Sequence, residues 1–250
     1  MPLLRGEGVV LRSMNLGEWD RLLVVLTVGL GKIKVVAKGA RKVQSRYASI
    51  TQPFSYLRFT SYRGKTFHTL SQVEVIEGYR PLRDNLEKIA YGLYLMELVD
   101  LSLVEEQAHD DILSLLLASL HILCHSERYE LLLAFFELRL LSRLGFALDL
   151  RQCAECGGQA GHRLRLNAGG LLCDRCSQEG AAHGAVTVSS EALRLLAALR
   201  QNDWQKIETM PKTPVGEREM AALLDRIVSH RIEKTPESFK FLAEIRRGSR

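Results

Sequence analysis

Residues 21–39 read RLLVVLTVGLGKIKVVAKG. Two short valine-rich runs flank Gly29-Leu30-Gly31, a glycine-bearing signal of a β-hairpin. Working outward, GVVLRS before this stretch, and SYLRFTSY and TFHTLSQVEVIEGY after it, are also short, rich in Val, Tyr, Phe and Thr, and separated by turn residues. Five such strands within the first eighty residues predict a small antiparallel barrel, which closes its own edges and needs no helical cover.

The period changes at Pro81. Asp84 and Glu87 have the spacing of an acidic capping box and predict a helix over NLEKIAYGLYLMELVDLSL. Asp110-Asp111 open a second helix, with His121 and His125 near its end as the helix dipole favours. Ser126-Glu127 open a third, RYELLLAFFELRLLSRLG, that stops at Gly145. SSEALRLLAALR and GEREMAALLDRIVSHRIEK follow as further helices, the latter with a core-facing stripe of Met220, Leu223, Leu224, Ile227 and Val228. The fold class is therefore α+β: a five-stranded barrel over 1–80, a helical domain over 81–150 and 181–250, and a cysteine clip inserted at 151–180.

The clip, CAECGGQAGHRLRLNAGGLLCDRC, carries two Cys-x-x-Cys knuckles, Cys153/Cys156 and Cys173/Cys176, sixteen residues apart. Each knuckle holds two thiolates near one point, and four complete a tetrahedron around Zn²⁺ with no open position for water. That favours one structural Zn²⁺ over catalysis or redox exchange. His162 and His183 are alternative ligands that a set of four cysteines leaves at the surface, and Cys124, in an apolar helix, reads as a buried thiol. The N-terminus has no apolar segment behind a basic one, and runs such as ILSLLLASLHILC are too short to span a bilayer. A reducing cytoplasm is the default, and there paired cysteines bind metal rather than form disulfides.

The net charge of +5 is unevenly distributed: residues 1–80 hold 13 Lys and Arg against 5 Asp and Glu, and residues 81–250 hold 21 against 24. Between Asp20 and Glu74, 53 residues carry ten cations and no carboxylate, the footprint of a surface for polyanions. In the strand KIKVVAK the period of two puts Lys32, Lys34 and Lys38 on one face, and Arg41, Lys42 and Arg46 continue the row. In YLRFTSY, Tyr56, Arg58, Thr60 and Tyr62 share a face. Cations interleaved with aromatic rings suit single-stranded nucleic acid, the charges tracking phosphates and the rings stacking bases, although both tyrosines could equally pack in the core. GLGK lacks the rest of a phosphate-binding loop, no nucleophile elbow or His-Glu-x-x-His pair is present, and the basic region has no carboxylates for a two-metal centre, so an enzyme is disfavoured.

LRSMNLGEWDRLLVVLTVGLGKIKVVAKGARKVQSR resembles the N-terminal oligonucleotide/oligosaccharide-binding (OB) barrel of the RecO family of bacterial recombination mediators. The likeness rests on Gly17-Glu18-x-Asp20, the turn from Thr27 to Gly29, and Lys38-Gly39-Ala40-Arg41-Lys42, and it continues through FELRLLSRLGFALDL into the clip and the closing helices. Leu148 departs from it, standing where the family pattern leads one to expect proline. The resemblance implies a non-enzymatic, cytoplasmic and nucleoid-associated DNA-repair protein that binds single- and double-stranded DNA and anneals complementary strands. It also implies that, with RecR, such a protein helps load RecA onto DNA covered by single-strand-binding protein. An RNA-binding or ribosome-associated zinc protein would use the same barrel and clip, and a thiol-redox enzyme would use the cysteines.

Overall fold

A computed structural model of the chain describes residues 3–166, 169–178, 184–232, 234 and 236–248. The chain divides into two compact units, residues 1–125 with 236–250 and residues 126–235, so the first long helices and the C-terminal segment belong with the barrel.

In the first unit, β1 (Leu3–Leu16), β2 (Asp20–Thr27), β3 (Gly31–Ala37), β4 (Tyr56–Arg63) and β5 (His68–Glu77) form a closed barrel in the order β1-β2-β3-β5-β4. β1 pairs along one part with β4 and along another with β2, and its register shifts between Val10 and Arg12, a bulge that bends the strand from one partner to the next. The turn between β2 and β3 needs glycine at its end: Gly31 has φ 71°, and a Cβ there would overlap the Gln107 carbonyl. Val10, Leu23, Val25, Ile33, Val35, Leu57, Phe59 and Leu70 fill the barrel.

Two expectations for the barrel are corrected. Closure is not purely antiparallel, because β3 and β5 run in the same direction where Val35 meets His68 and Val36 meets Thr69. The barrel also has helical cover. α1 (Arg80–Arg83) is followed by α2 (Leu86–Ser102) and α3 (Asp110–His125), which pack on β1 and β2 respectively. Val9, Val24 and Leu26, on the outer side by the alternation of the strands, are buried as deeply as the barrel core. The unbroken run LLVVL in β2 reflects this, since a strand buried on both faces has no polar alternation.

The helix at 86 is capped by Asn85, whose side chain accepts from the Lys88 amide at 3.0 Å; Asp84, the expected cap, closes α1 instead. The C-terminal segment adds α9 (Ser238–Gly248), a helix absent from the sequence reading. Its N-terminus is capped from a distance, the Glu97 carboxylate on α2 accepting from the amides of Glu237 and Ser238 at 2.9 and 2.8 Å.

In the second unit, α4 (Tyr129–Arg143) ends before Gly145, which has φ 85°, as the sequence suggests. Residues 163–187 supply the small sheet β6 (Arg163–Arg165), β7 (Gly170–Leu172) and β8 (Ala185–Thr187), ordered β7-β6-β8, with α5 (Asp174–Gln178) between β7 and β8. α6 (Ser190–Gln201), α7 (Trp204–Glu208) and α8 (Pro214–Arg231) complete the unit. The stripe Met220, Leu223, Leu224, Ile227 and Val228 of α8 is buried throughout, whereas α7 was not anticipated.

Candidate metal centre and nucleic-acid interface

The cysteine ligands come from two local turns. The Cys153 carbonyl accepts from the Gly157 amide at 2.9 Å, and Gly157, with φ 71°, lets the chain fold tightly round Cys156. The second knuckle opens α5, where the Cys173 carbonyl accepts from the Ser177 amide at 2.9 Å and its sulfur from the Cys176 amide at 3.4 Å. The four sulfurs lie within 4.8 Å of one another, and Cys156 Sγ is 3.7 Å from Cys173 Sγ. Hydrogen bonding from the Cys173 backbone, followed by that from Cys156 and Glu155, brings the Cys153 thiol down to about 6. Hydrogen bonding with the Cys173 side chain, together with burial, pushes Cys176 up to about 12. Four sulfurs this close cannot all be thiolates without a cation among them, so the donor set fits a metal ion and is compatible with zinc. His162 turns Nδ1 to the Val188 carbonyl at 3.2 Å, and His183 lies outside the described residues. Cys124 is buried, and burial raises its thiol.

The expected row of cations is divided by the fold. Lys32 is buried, with Nζ 2.9 Å from Asp100 Oδ1 and also donating to the Asp100 carbonyl. Arg12 reaches the other carboxylate oxygen at 3.4 Å, and Lys34 pairs with Glu105 at 2.5 Å. The carboxylates missing from the strand sequence thus return from α2 and the segment after it. Removing one side of the Lys32–Asp100 pair leaves a buried uncompensated charge. Asp100→Ala should therefore cost about 3 kcal/mol of stability, whereas the double change Lys32→Met with Asp100→Leu should recover most of it, as measured by denaturant unfolding.

Lys38, Arg41, Lys42 and Arg46 lie together on the segment joining β3 to β4, residues 38–55, which forms a strap across the barrel. All four are exposed, and among the described residues none is ion-paired with a carboxylate. Asp20 Oδ1 accepts from the Gly39 amide at 2.8 Å, and the Trp19 carbonyl accepts from the Arg41 amide at 2.9 Å, so the β1–β2 turn holds the start of the strap. The Arg21 guanidinium secures the other end through the Ala48 carbonyl and Thr51 Oγ1, at 2.7 and 3.0 Å.

Arg58 lies between Glu7 at 2.8 Å and Glu74 at 3.6 Å, so its charge is already matched. Tyr56 is half-buried and donates to Glu7 Oε2 at 3.2 Å; burial, and then the neighbouring Glu7, raise its phenol. Tyr62 is exposed, and Leu57 and Phe59 point into the barrel, as the alternation requires.

The matches to known proteins cover nearly the whole sequence. Residues 1–79 match the family model described as Recombination protein O N terminal, and residues 83–239 match Recombination protein O C terminal. The chain is 38% identical over 256 residues to the DNA repair protein RecO of Symbiobacterium thermophilum, covering 98% of this chain and 99% of the relative. It is 33% identical over 245 residues to DNA repair protein RecO of a Roseiflexus species, covering 97% and 86% of the two chains, and 30% identical over 235 residues to that of Alkaliphilus metalliredigens, covering 93% and 95%. The chain belongs to the RecO family.

Within this RecO-family chain, two features of the basic surface were missed by reading the sequence. Trp19 is 48% exposed at the tip of the β1–β2 turn, beside the start of the strap. The run Gly17-Glu18-Trp19-Asp20 shows a turn, and the bonds from the Arg41 amide to the Trp19 carbonyl and from the Arg41 guanidinium to the Gly17 carbonyl show which cation it adjoins. The second feature is the far end of the strap, where Arg46 lies over the Tyr47 ring, 5.1 Å from its centroid. The two segments on which the sequence resemblance rests, Gly17–Asp20 and Lys38–Lys42, bond to each other.

Proposed function

We propose that this RecO-family DNA repair protein is a non-enzymatic recombination mediator that binds single- and double-stranded DNA through the strap. We further propose that it anneals complementary strands and, with RecR, assists RecA loading on DNA coated by single-strand-binding protein. One Zn²⁺ held by Cys153, Cys156, Cys173 and Cys176 shapes the clip, and the protein works in the cytoplasm at the nucleoid. The observation that carries the DNA-binding part is the grouping of four exposed cations, Lys38, Arg41, Lys42 and Arg46, without carboxylate partners among the described residues. Lys32 and Lys34 contribute to the field but are engaged with Asp100 and Glu105. Arg58, Tyr56 and Tyr62 form a secondary face on β4, weaker for phosphate because Glu7 and Glu74 neutralise Arg58. Family membership supports annealing and the RecR, RecA and single-strand-binding protein partnerships.

Binding and annealing of matched and mismatched DNA strands across a salt series test this reading. If each of the four strap cations takes one phosphate, log K against log salt should fall with a slope of about −3 for single strands. A flat salt response, or preference for RNA over DNA of the same sequence, would remove it.

Trp19 provides an internal probe. Its side chain is exposed, whereas Trp204 is 9% exposed on α7. Single-stranded DNA on the strap should quench the Trp19 emission by stacking, and Trp19→Phe should abolish the quench. Quenching that persists in Trp19→Phe would place the DNA elsewhere.

A further inference from the structure

At the far end of the strap the chain turns back onto β5. Tyr47, Ile50 and Val73 are partly buried and pack against the barrel core. The Tyr47 hydroxyl donates to the Ser71 carbonyl at 3.2 Å and accepts from Arg46 Nη2 at 3.0 Å, which fixes the ring beside the strand. These residues and Gln72 line an open cavity of about 400 Å³. Its apolar surface comes from Ile50 and Val73, an aromatic ring from Tyr47, an amide from Gln72 and a cation from Arg46; no carboxylate is among the lining residues.

That combination fits a flat heteroaromatic ring that carries hydrogen-bonding edges and is linked to an anion. The apolar side chains and the tyrosine ring give contact area insensitive to base identity. The Gln72 amide can both donate to and accept from a ring edge. Arg46 adds a fork of donors suited to phosphate oxygens. A base in a duplex is stacked on both faces and paired along its edge, so entry requires an unpaired nucleotide.

We propose that this cavity receives one unstacked nucleobase of a single DNA strand whose phosphates follow Lys42 and Arg46. The proposal rests on the reading of the strap as a DNA surface and adds a means of telling single from double strands. It also gives the bound strand a base held clear of its neighbours.

The test measures binding to the full chain of four probes of one length: a DNA strand, the same strand with abasic sugars throughout, the duplex, and an RNA strand of the same sequence. The abasic strand should bind about tenfold more weakly than the base-bearing one, on the scale of base–aromatic stacking. Gln72→Ala, on an exposed strand position, should weaken the base-bearing strand while leaving the duplex and the abasic strand unchanged. Tyr47→Ala should do so more strongly, and Tyr47→Phe should retain the affinity for single strands. Equal binding of the base-bearing and abasic strands, or Gln72→Ala weakening strand and duplex alike, would overturn the base pocket. RNA binding more tightly than DNA would overturn the assignment to DNA. Lys38→Glu with Arg41→Glu separates the two readings. If it weakens strand and duplex together while the abasic strand matches the base-bearing one, only the pocket fails. If it weakens neither, the strap is not the DNA surface and the pocket falls with it.

Discussion

Removing the metal from the four-cysteine centre is expected to unfold the clip while the barrel stays intact. One buried cluster of the clip is Cys153, Leu172 and Cys176, with Cys173 and Ala185 packed against it, and the strands add only Leu164 and Leu171 as further buried apolar side chains. Three strands of three residues each cannot hold themselves together with so little apolar area. In structural zinc sites the binding free energy, about 10–16 kcal/mol in isolated finger peptides, is folding free energy. Freshly purified protein should therefore contain one zinc ion per chain. Chelation, or Cys173→Ser, should bring the amides of β6 and β7 to the exchange rate of an open chain. The amides of β2 and β3, in the other compact unit, should keep their protection, and DNA affinity should change less than clip stability. Iron in place of zinc, no metal in folded protein, or unchanged exchange in β6 and β7 after chelation would each contradict this.

The contrast between clip and barrel also marks what the sequence made legible. Ligand sets built from two local knuckles can be read directly, because each Cys-x-x-Cys fixes its own geometry, and the four sulfurs do converge. The five strands were legible from turn residues and β-branched runs. The parallel seam between β3 and β5 was not, because it pairs only two residues of each strand and leaves no periodic mark. Charge partners were the least legible. Alternation places Lys32 and Lys34 on the outer face correctly, but Asp100 is 68 positions from Lys32, and nothing local links them. The unbroken apolar run of β2 did carry the clue, since a strand buried on both faces implies an outer layer, and that layer brings α2 and its carboxylate. α9 was missed although Thr235-Pro236-Glu237 before it has the composition of a helix start; the cap the structure shows, Glu97 from α2, is a distant partner that no local reading supplies.

Lys38→Glu with Arg41→Glu is expected to slow strand annealing at least as much as it weakens binding to one strand. Complementary strands repel through their phosphates, and pairing needs that repulsion screened while the bases stay free to meet. A surface strap can do this, because it touches backbones from one side and encloses neither strand. Its exposed cations have no carboxylate partner among the described residues, so they can replace condensed counterions, and releasing those ions makes binding fall as salt rises. If Lys38 and Arg41 each take a phosphate as proposed, reversing both charges should flatten the salt slope by about one unit or more and add local repulsion for any second strand. The second strand meets both effects, and its pairing rate should drop even when protein saturates the first. Lys32 and Lys34 provide the comparison within the same chain. With their amino groups engaged by Asp100 and Glu105, Lys34→Gln should change the salt slope far less than Lys38→Gln. Annealing kinetics at fixed salt with saturating protein decide the matter: a charge-reversed variant that pairs strands as fast as the unaltered protein would show that the annealing surface lies away from the strap.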